Sequence, residues 1–168
     1  MLLSQENVKN YSIRYDDGSS HSDKITEQRI KAVLTKRSYL IKSEFVEVGE
    51  WKSPRQRKRY LNNSEEDVQE ITNASLSAKS DRAKIGYLLA LDGVSYPVAS
   101  VILHFAFPDC YPILDFRALW SLGWEKPSSY NFKFWQKYCR RIQQLSKDLK
   151  LSIRIIDKAL WQYSKENQ

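Results

Sequence analysis

Apolar residues recur every three or four positions along most of this chain, the spacing of amphipathic helices. Ile30, Val33, Leu34, Ile41, Phe45 and Val48 fall near one face, with Gly49 placed to stop it. This predicts one long helix from about Ser22, or two broken near Thr35. Ser64 precedes Glu65, Glu66 and Asp67, an acidic first turn suited to the positive end of a helix dipole. Ser80 caps a predicted helix reaching Leu91, and Asp92-Gly93-Val94-Ser95 breaks it. A second helix starts near Tyr96, where Pro97 is tolerated because first-turn amides have no intrahelical partner, and runs towards Pro108. Tyr111 to Leu114 reads as extended, and Asp115 opens a helix through Trp120 to Gly123. Two amphipathic helices close the chain, marked by Phe134, Trp135, Tyr138, Ile142, Leu145 and Leu149, then by Ile153, Ile156, Ala159, Leu160 and Tyr163.

Only the opening departs from this period. Val8, Tyr11, Ile13 and Tyr15 alternate with polar residues and run into Asp16-Asp17-Gly18-Ser19-Ser20, which predicts an extended arm ending in a turn. The expected architecture is all-α: an irregular or extended arm over residues 1–21, then a compact helical bundle over 22–168 as a single domain. Within it, residues 81–106 form two helices joined by a tight turn.

Composition narrows the class. A hydrophobic fraction of 42% with 21 aromatic residues among 168 excludes a disordered chain. No apolar run reaches the roughly 18 residues of a membrane span, and Met1 to Asn10 lacks the pattern of a secretory signal. Cys110 and Cys139 stand far apart, which fits reduced thiols in a cytoplasmic protein, nucleoid-associated if bacterial. With only His21 and His104 as histidines, no metal site is expected, and no cofactor motif is present.

Charge adds a partner class. The net charge of +7 is concentrated between Lys52 and Arg59, where five of eight residues are basic, flanked by Trp51 and Tyr60. Basic side chains neutralise phosphates and neighbouring rings stack on bases, so Lys52, Arg55 and Arg57 are candidate DNA contacts and Trp51 a candidate base-pocket residue. A solvated charge run is the plainer alternative. The turn from Gly93 to Tyr96 can cradle a phosphate as well. Gly93 admits close backbone approach and the following helix presents its amides, with Val94, Ser95 and Tyr96 alongside.

The segment LLALDGVSYPVASVILHFAFPDCYPILDFRALWSLG, Leu88 to Gly123, resembles the helix-hairpin-helix DNA glycosylase superfamily. It combines an L-x-G-V hairpin, an apolar helix and Pro-Ile-Leu-Asp ending at Asp115, and looks most like the adenine-glycosylase branch. The resemblance implies that Asp115 is the catalytic carboxylate. It would stabilise positive charge on the sugar as the N-glycosidic bond of an altered or mispaired base in double-stranded DNA breaks. Ordinary helix capping by Asp115 is compatible with that role. Bifunctional members carry a lysine early in the second hairpin helix; here Pro97 sits near that position, so Schiff-base lyase chemistry is not expected. Ser95 replaces the usual second hairpin glycine, and the cysteines of the family's iron–sulfur cluster are missing.

Arg117 could meet a phosphate or pair with Asp115, and Trp120 is a second base-pocket candidate, although Trp120, Trp135 and Tyr138 also fit core spacing. Three functions compete: a monofunctional DNA glycosylase, a non-catalytic helix-hairpin-helix DNA-binding module, and a helical protein-interaction domain.

Overall fold

The structure, a computed structural model, describes residues 4–168. Among these the chain forms ten α-helices, one 3-10 turn and no strand, so the fold is all-α as expected. Contacts divide it into two units: residues 20–107, and the N-terminal segment through Ser19 joined with Pro108–Gln168.

The N-terminal arm is a correction. Gln5–Gly18 is an α-helix (α1), not an extended segment; residues 1–3 of the expected arm lie outside the described residues. Ser4 caps it by accepting the Asn7 amide. Val8 and Ser12, one turn apart, are buried, whereas Ile13, the residue that suggested alternation, is 58% exposed. Tyr11 and Tyr15 each meet an aromatic ring of the C-terminal helix edge-on at 5.3 Å. Asp16, placed where the helix dipole disfavours a carboxylate, pairs with Lys158 at 2.7 Å.

In the 20–107 unit, α2 (His21–Leu34) and α3 (Lys42–Lys52) are the two pieces of the long apolar stretch. The break is held by Glu44, which accepts the Ile41 amide at 3.0 Å and pairs with Arg37, and by Thr72, which accepts the Leu40 amide at 2.9 Å. Gly49 does not stop α3, which continues to Lys52. A Cβ at Gly49 would lie 2.6 Å from the Tyr60 ring, so glycine there lets that ring pack directly against the α3 backbone. A 3-10 turn (Pro54–Gln56) leads into α4 (Arg57–Asn62), and α5 (Glu65–Ser77) follows with Ser64 as its cap. The hairpin pair is α6 (Asp81–Leu88) and α7 (Tyr96–Ala106). Every residue of α7 from Val98 to Phe105 is buried, the pattern of a central helix.

The other unit packs α1 with α8 (Phe116–Ser121), α9 (Phe132–Leu149) and α10 (Ile153–Asn167). Trp135, Tyr138, Ile142, Ile156 and Leu160 are at most 1% exposed and make its core. No helix among the described residues is long and apolar enough to cross a membrane.

Candidate functional site

The hairpin turn and the basic run come together in the 20–107 unit. Gly93 adopts φ +84°, and a Cβ there would lie 2.8 Å from the Tyr60 ring and 3.0 Å from the Arg59 Cβ. Tyr60 is wholly buried, edge-on to Phe45, and donates its hydroxyl to the Ser53 carbonyl at 3.1 Å. Burial raises its phenol pKa, with the Ser53 hydrogen bond opposing and Glu50 adding. The ring at the end of the basic run is therefore a wedge between α3 and the hairpin, not an exposed stacking surface.

Asp92, beside Gly93, is bound from several sides. Its amide donates to Asn63 Oδ1 at 2.8 Å, and its carbonyl accepts from Asn63 Nδ2 at 3.1 Å. Its carboxylate accepts from Asn62 at 3.1 Å and pairs with Arg59 at 3.5 Å. The turn is thereby clamped to the end of α4, and Arg59, the last residue of the basic run, lies against Gly93. Ser95 caps α7 without a side-chain hydrogen bond, and Pro97 is in the first turn, with no amine at that position. Val94 and Tyr96 are half-buried and Ser95 is exposed. Burial raises the Tyr96 phenol pKa against the pull of Arg82.

Within the run the cations differ. Arg55 and Lys58 are exposed, whereas Arg57 pairs with Glu50 at 2.9 Å and lines a cleft of about 510 Å³ with Val46, Glu47 and Leu61. An exposed pair of this kind contributes about 0–1 kcal/mol and leaves Arg57 able to exchange partners. Lys52 is half-buried at the end of α3. Trp51 is half-buried too: its ring meets Phe105 at 5.4 Å and its Nε1–H donates to the Asp23 carbonyl at 3.2 Å. Those contacts place Trp51 in the packing between α2, α3 and α7.

Asp115 belongs to the other unit. Tyr111 to Leu114 is buried and forms neither helix nor strand, with Tyr111 stacked on Trp135 at 5.7 Å. The Ile113 amide donates to Asp157 Oδ2 at 2.8 Å, and its carbonyl accepts from the Tyr138 hydroxyl at 3.0 Å. Held on both sides, this segment delivers Asp115 half-buried to the N-cap of α8, where Oδ1 accepts the Arg117 amide at 2.8 Å. Only the backbone of Arg117 meets Asp115 in this bond; its guanidinium lies 5.3 Å from the ring centroids of both Phe116 and Trp161. Trp120 is 38% exposed, unlike the buried Trp135 and Tyr138.

Asp157 and Asn63 are the two positioning residues that helical periodicity passes over. Asp157 sits on the buried face of α10, a polar residue in an apolar register, and that is the one signal the chain offers for it. Asn63 reads as a residue before a helix cap, and nothing local marks its reach to Asp92.

Burial, with the Asp157 and Asp115 carboxylates behind it, pushes the Tyr138 phenol well above its ordinary value of 10.0; burial and Asp115 raise Tyr130 likewise. Above about pH 10 the unfolded chain releases the Tyr138 proton while the native state keeps it, so stability falls as pH rises, by about 1.4 kcal/mol per unit. Denaturant unfolding from about pH 9 to 11 should show this loss, and Tyr138→Phe should lower the slope by about one proton. A slope unchanged in Tyr138→Phe would mean that the phenol ionises in the native state.

Among the described residues no group of three or more His, Cys, Asp or Glu side chains could hold a metal ion. Compared with known proteins, the chain matches no family model, no curated protein and no solved structure.

Proposed function

We propose that the protein binds duplex DNA through the hairpin turn and the basic run beside it. One observation supports this reading above the others: the clamp of Asp92 and Gly93 by Arg59, Tyr60, Asn62 and Asn63. A glycine turn opening a helix and the end of a cluster of cations thereby share one local structure. The α7 amides and the exposed cations then act on neighbouring phosphates, and affinity is electrostatic in origin.

Arg55→Glu together with Lys58→Glu is the direct test, because both side chains are exposed and their replacement disturbs no core. Losing two phosphate contacts should flatten the slope of log affinity against log salt by roughly 1.8, and weaken binding to every duplex sequence alike. Fluorescence anisotropy across a salt series reads both quantities. An unchanged slope would leave the run as a solvated helix end and remove the hairpin reading's main support.

A second reading, base excision at Asp115, goes with the glycosylase resemblance. It is favoured by a carboxylate that is half-buried at the end of a rigidly held segment, close enough to Tyr130 and Tyr138 to shift both phenols. In that resemblance Pro97 stands near the lysine position of the bifunctional members, which implies a hydrolytic activity without a lysine-derived Schiff base.

A further inference from the structure

Phe116 and Trp120, besides Ile13, are exposed large apolar side chains of the unit that holds Asp115. They are 48% and 38% exposed, and they stand one helical turn apart on α8, so they share a face. The rings continue onto the neighbouring helices: Trp120 lies 6.0 Å from Tyr163 at a tilt of 35°, Tyr163 meets Tyr11 edge-on, and Trp161 meets Tyr15 edge-on. Cations sit between them. Arg117 lies over Phe116 and Trp161, and the Lys165 ammonium is 5.2 Å from the Trp161 ring. Lys158 and Arg14 also approach tyrosine rings but are neutralised by Asp16 and Glu166. Arg117 and Lys165 form no salt bridge with a described residue.

Tyr11 and Tyr15 hold α1 on the last helix, but the exposed rings of Phe116 and Trp120 and the cations Arg117 and Lys165 add little to folding. A cation over a ring at an exposed site contributes about 0.5–1 kcal/mol, and clustered exposed aromatics mark an interaction surface. Charge decides the occupant. A second copy packed symmetrically on this face would set Arg117 and Lys165 against the same cations. A nucleic-acid strand with splayed bases supplies what the face lacks, anions for the cations and flat π-faces for the rings.

We propose that the face formed by Phe116, Arg117, Trp120, Trp161 and Lys165 binds an unstacked nucleic-acid strand. Bases stack on Phe116 and Trp120, and phosphates meet Arg117 and Lys165. This site uses neither Gly93 nor the basic run, so it stands whether or not the hairpin reading does. It lies on the helix that Asp115 caps, so an unpaired base would be held beside that carboxylate.

The test compares a labelled oligothymidylate with a duplex of equal length, read by anisotropy and by tryptophan quenching. Phe116→Ala and Trp120→Ala should each weaken oligothymidylate binding by roughly 5- to 150-fold, the range for one lost base stack, and spare the duplex. Arg117→Glu should weaken it and reduce its salt dependence. The Arg55→Glu, Lys58→Glu variant should keep the quenching that Trp120→Ala removes, which separates failure of the hairpin reading from failure of this one. Thermal melts confirm that each variant folds. Wild-type oligothymidylate affinity in Phe116→Ala and Arg117→Glu would overturn the proposal. So would a wild-type dimer in sedimentation that Phe116→Ala dissociates, because the face would then be a contact between copies.

Discussion

Gly93→Ala should lower unfolding stability by about 2–5 kcal/mol, the sum of left-handed backbone strain and overpacking. The strain follows from φ +84°, where an L side chain is disfavoured. The overpacking follows from a Cβ that would meet the Tyr60 ring at 2.8 Å and the Arg59 Cβ at 3.0 Å. Neither neighbour yields easily. Tyr60 is fully buried, its hydroxyl is tied to Ser53, and its other edge fills the space opposite Gly49. A denaturant midpoint that drops at constant m is the expected signature. Tyr60→Ala should cost about 3–5 kcal/mol through the cavity it leaves, and should loosen the same turn. A Gly93→Ala protein as stable as wild type would mean that the hairpin is not seated on Tyr60. The hairpin glycine therefore serves packing first, and a phosphate would be cradled by a turn already locked from behind.

The second large effect concerns rate. If Asp115 stabilises the developing sugar cation, Asp115→Asn should slow base excision by about 10²–10³. The geometry makes this a clean substitution: Asn Oδ1 can still accept the Arg117 amide, so α8 keeps its cap and stability should change little. A panel of duplexes, each with one altered base, is incubated with protein and then treated with hot alkali to expose abasic sites. The wild type should leave those sites intact before alkali, and borohydride should trap no adduct, because the glycosylase resemblance puts Pro97 near the position of the bifunctional members' lysine. Efficient trapping would show that another amine attacks the sugar. Wild-type excision by Asp115→Asn would reduce Asp115 to a helix cap.

Both predictions turn on residues whose neighbours are distant in sequence. Asp115 was readable as a cap because a cap is local: the carboxylate bonds an amide two residues away. The segment that positions it was not readable, since Ile113 is gripped by Tyr138 and Asp157 from two other helices. Gly93 was legible as a turn residue, yet its reason to be glycine lies in Tyr60. Gly49 looked like a helix stop for the same cause, because a glycine that admits a ring and one that ends a helix are identical in the chain. Trp120 shared the periodic spacing of Trp135, and only packing exposed one and buried the other.

By itself, then, the sequence determined the all-α class and the starts of α5 to α8, with Ser64, Ser80 and Asp115 each bonding an amide two or three residues on. These depend on periodicity and on hydrogen bonds within one turn, which near neighbours dictate. The tertiary structure decided that Gln5–Gly18 is a helix, since this segment packs on α10, with Tyr11 and Tyr15 against the rings of Tyr163 and Trp161 and Asp16 paired with Lys158. It alone joined the basic run to the hairpin, through Asn63 and Tyr60, and placed Arg117 on aromatic rings. Such pairings link residues far apart in the chain, so their free energy exists only once the helices have packed.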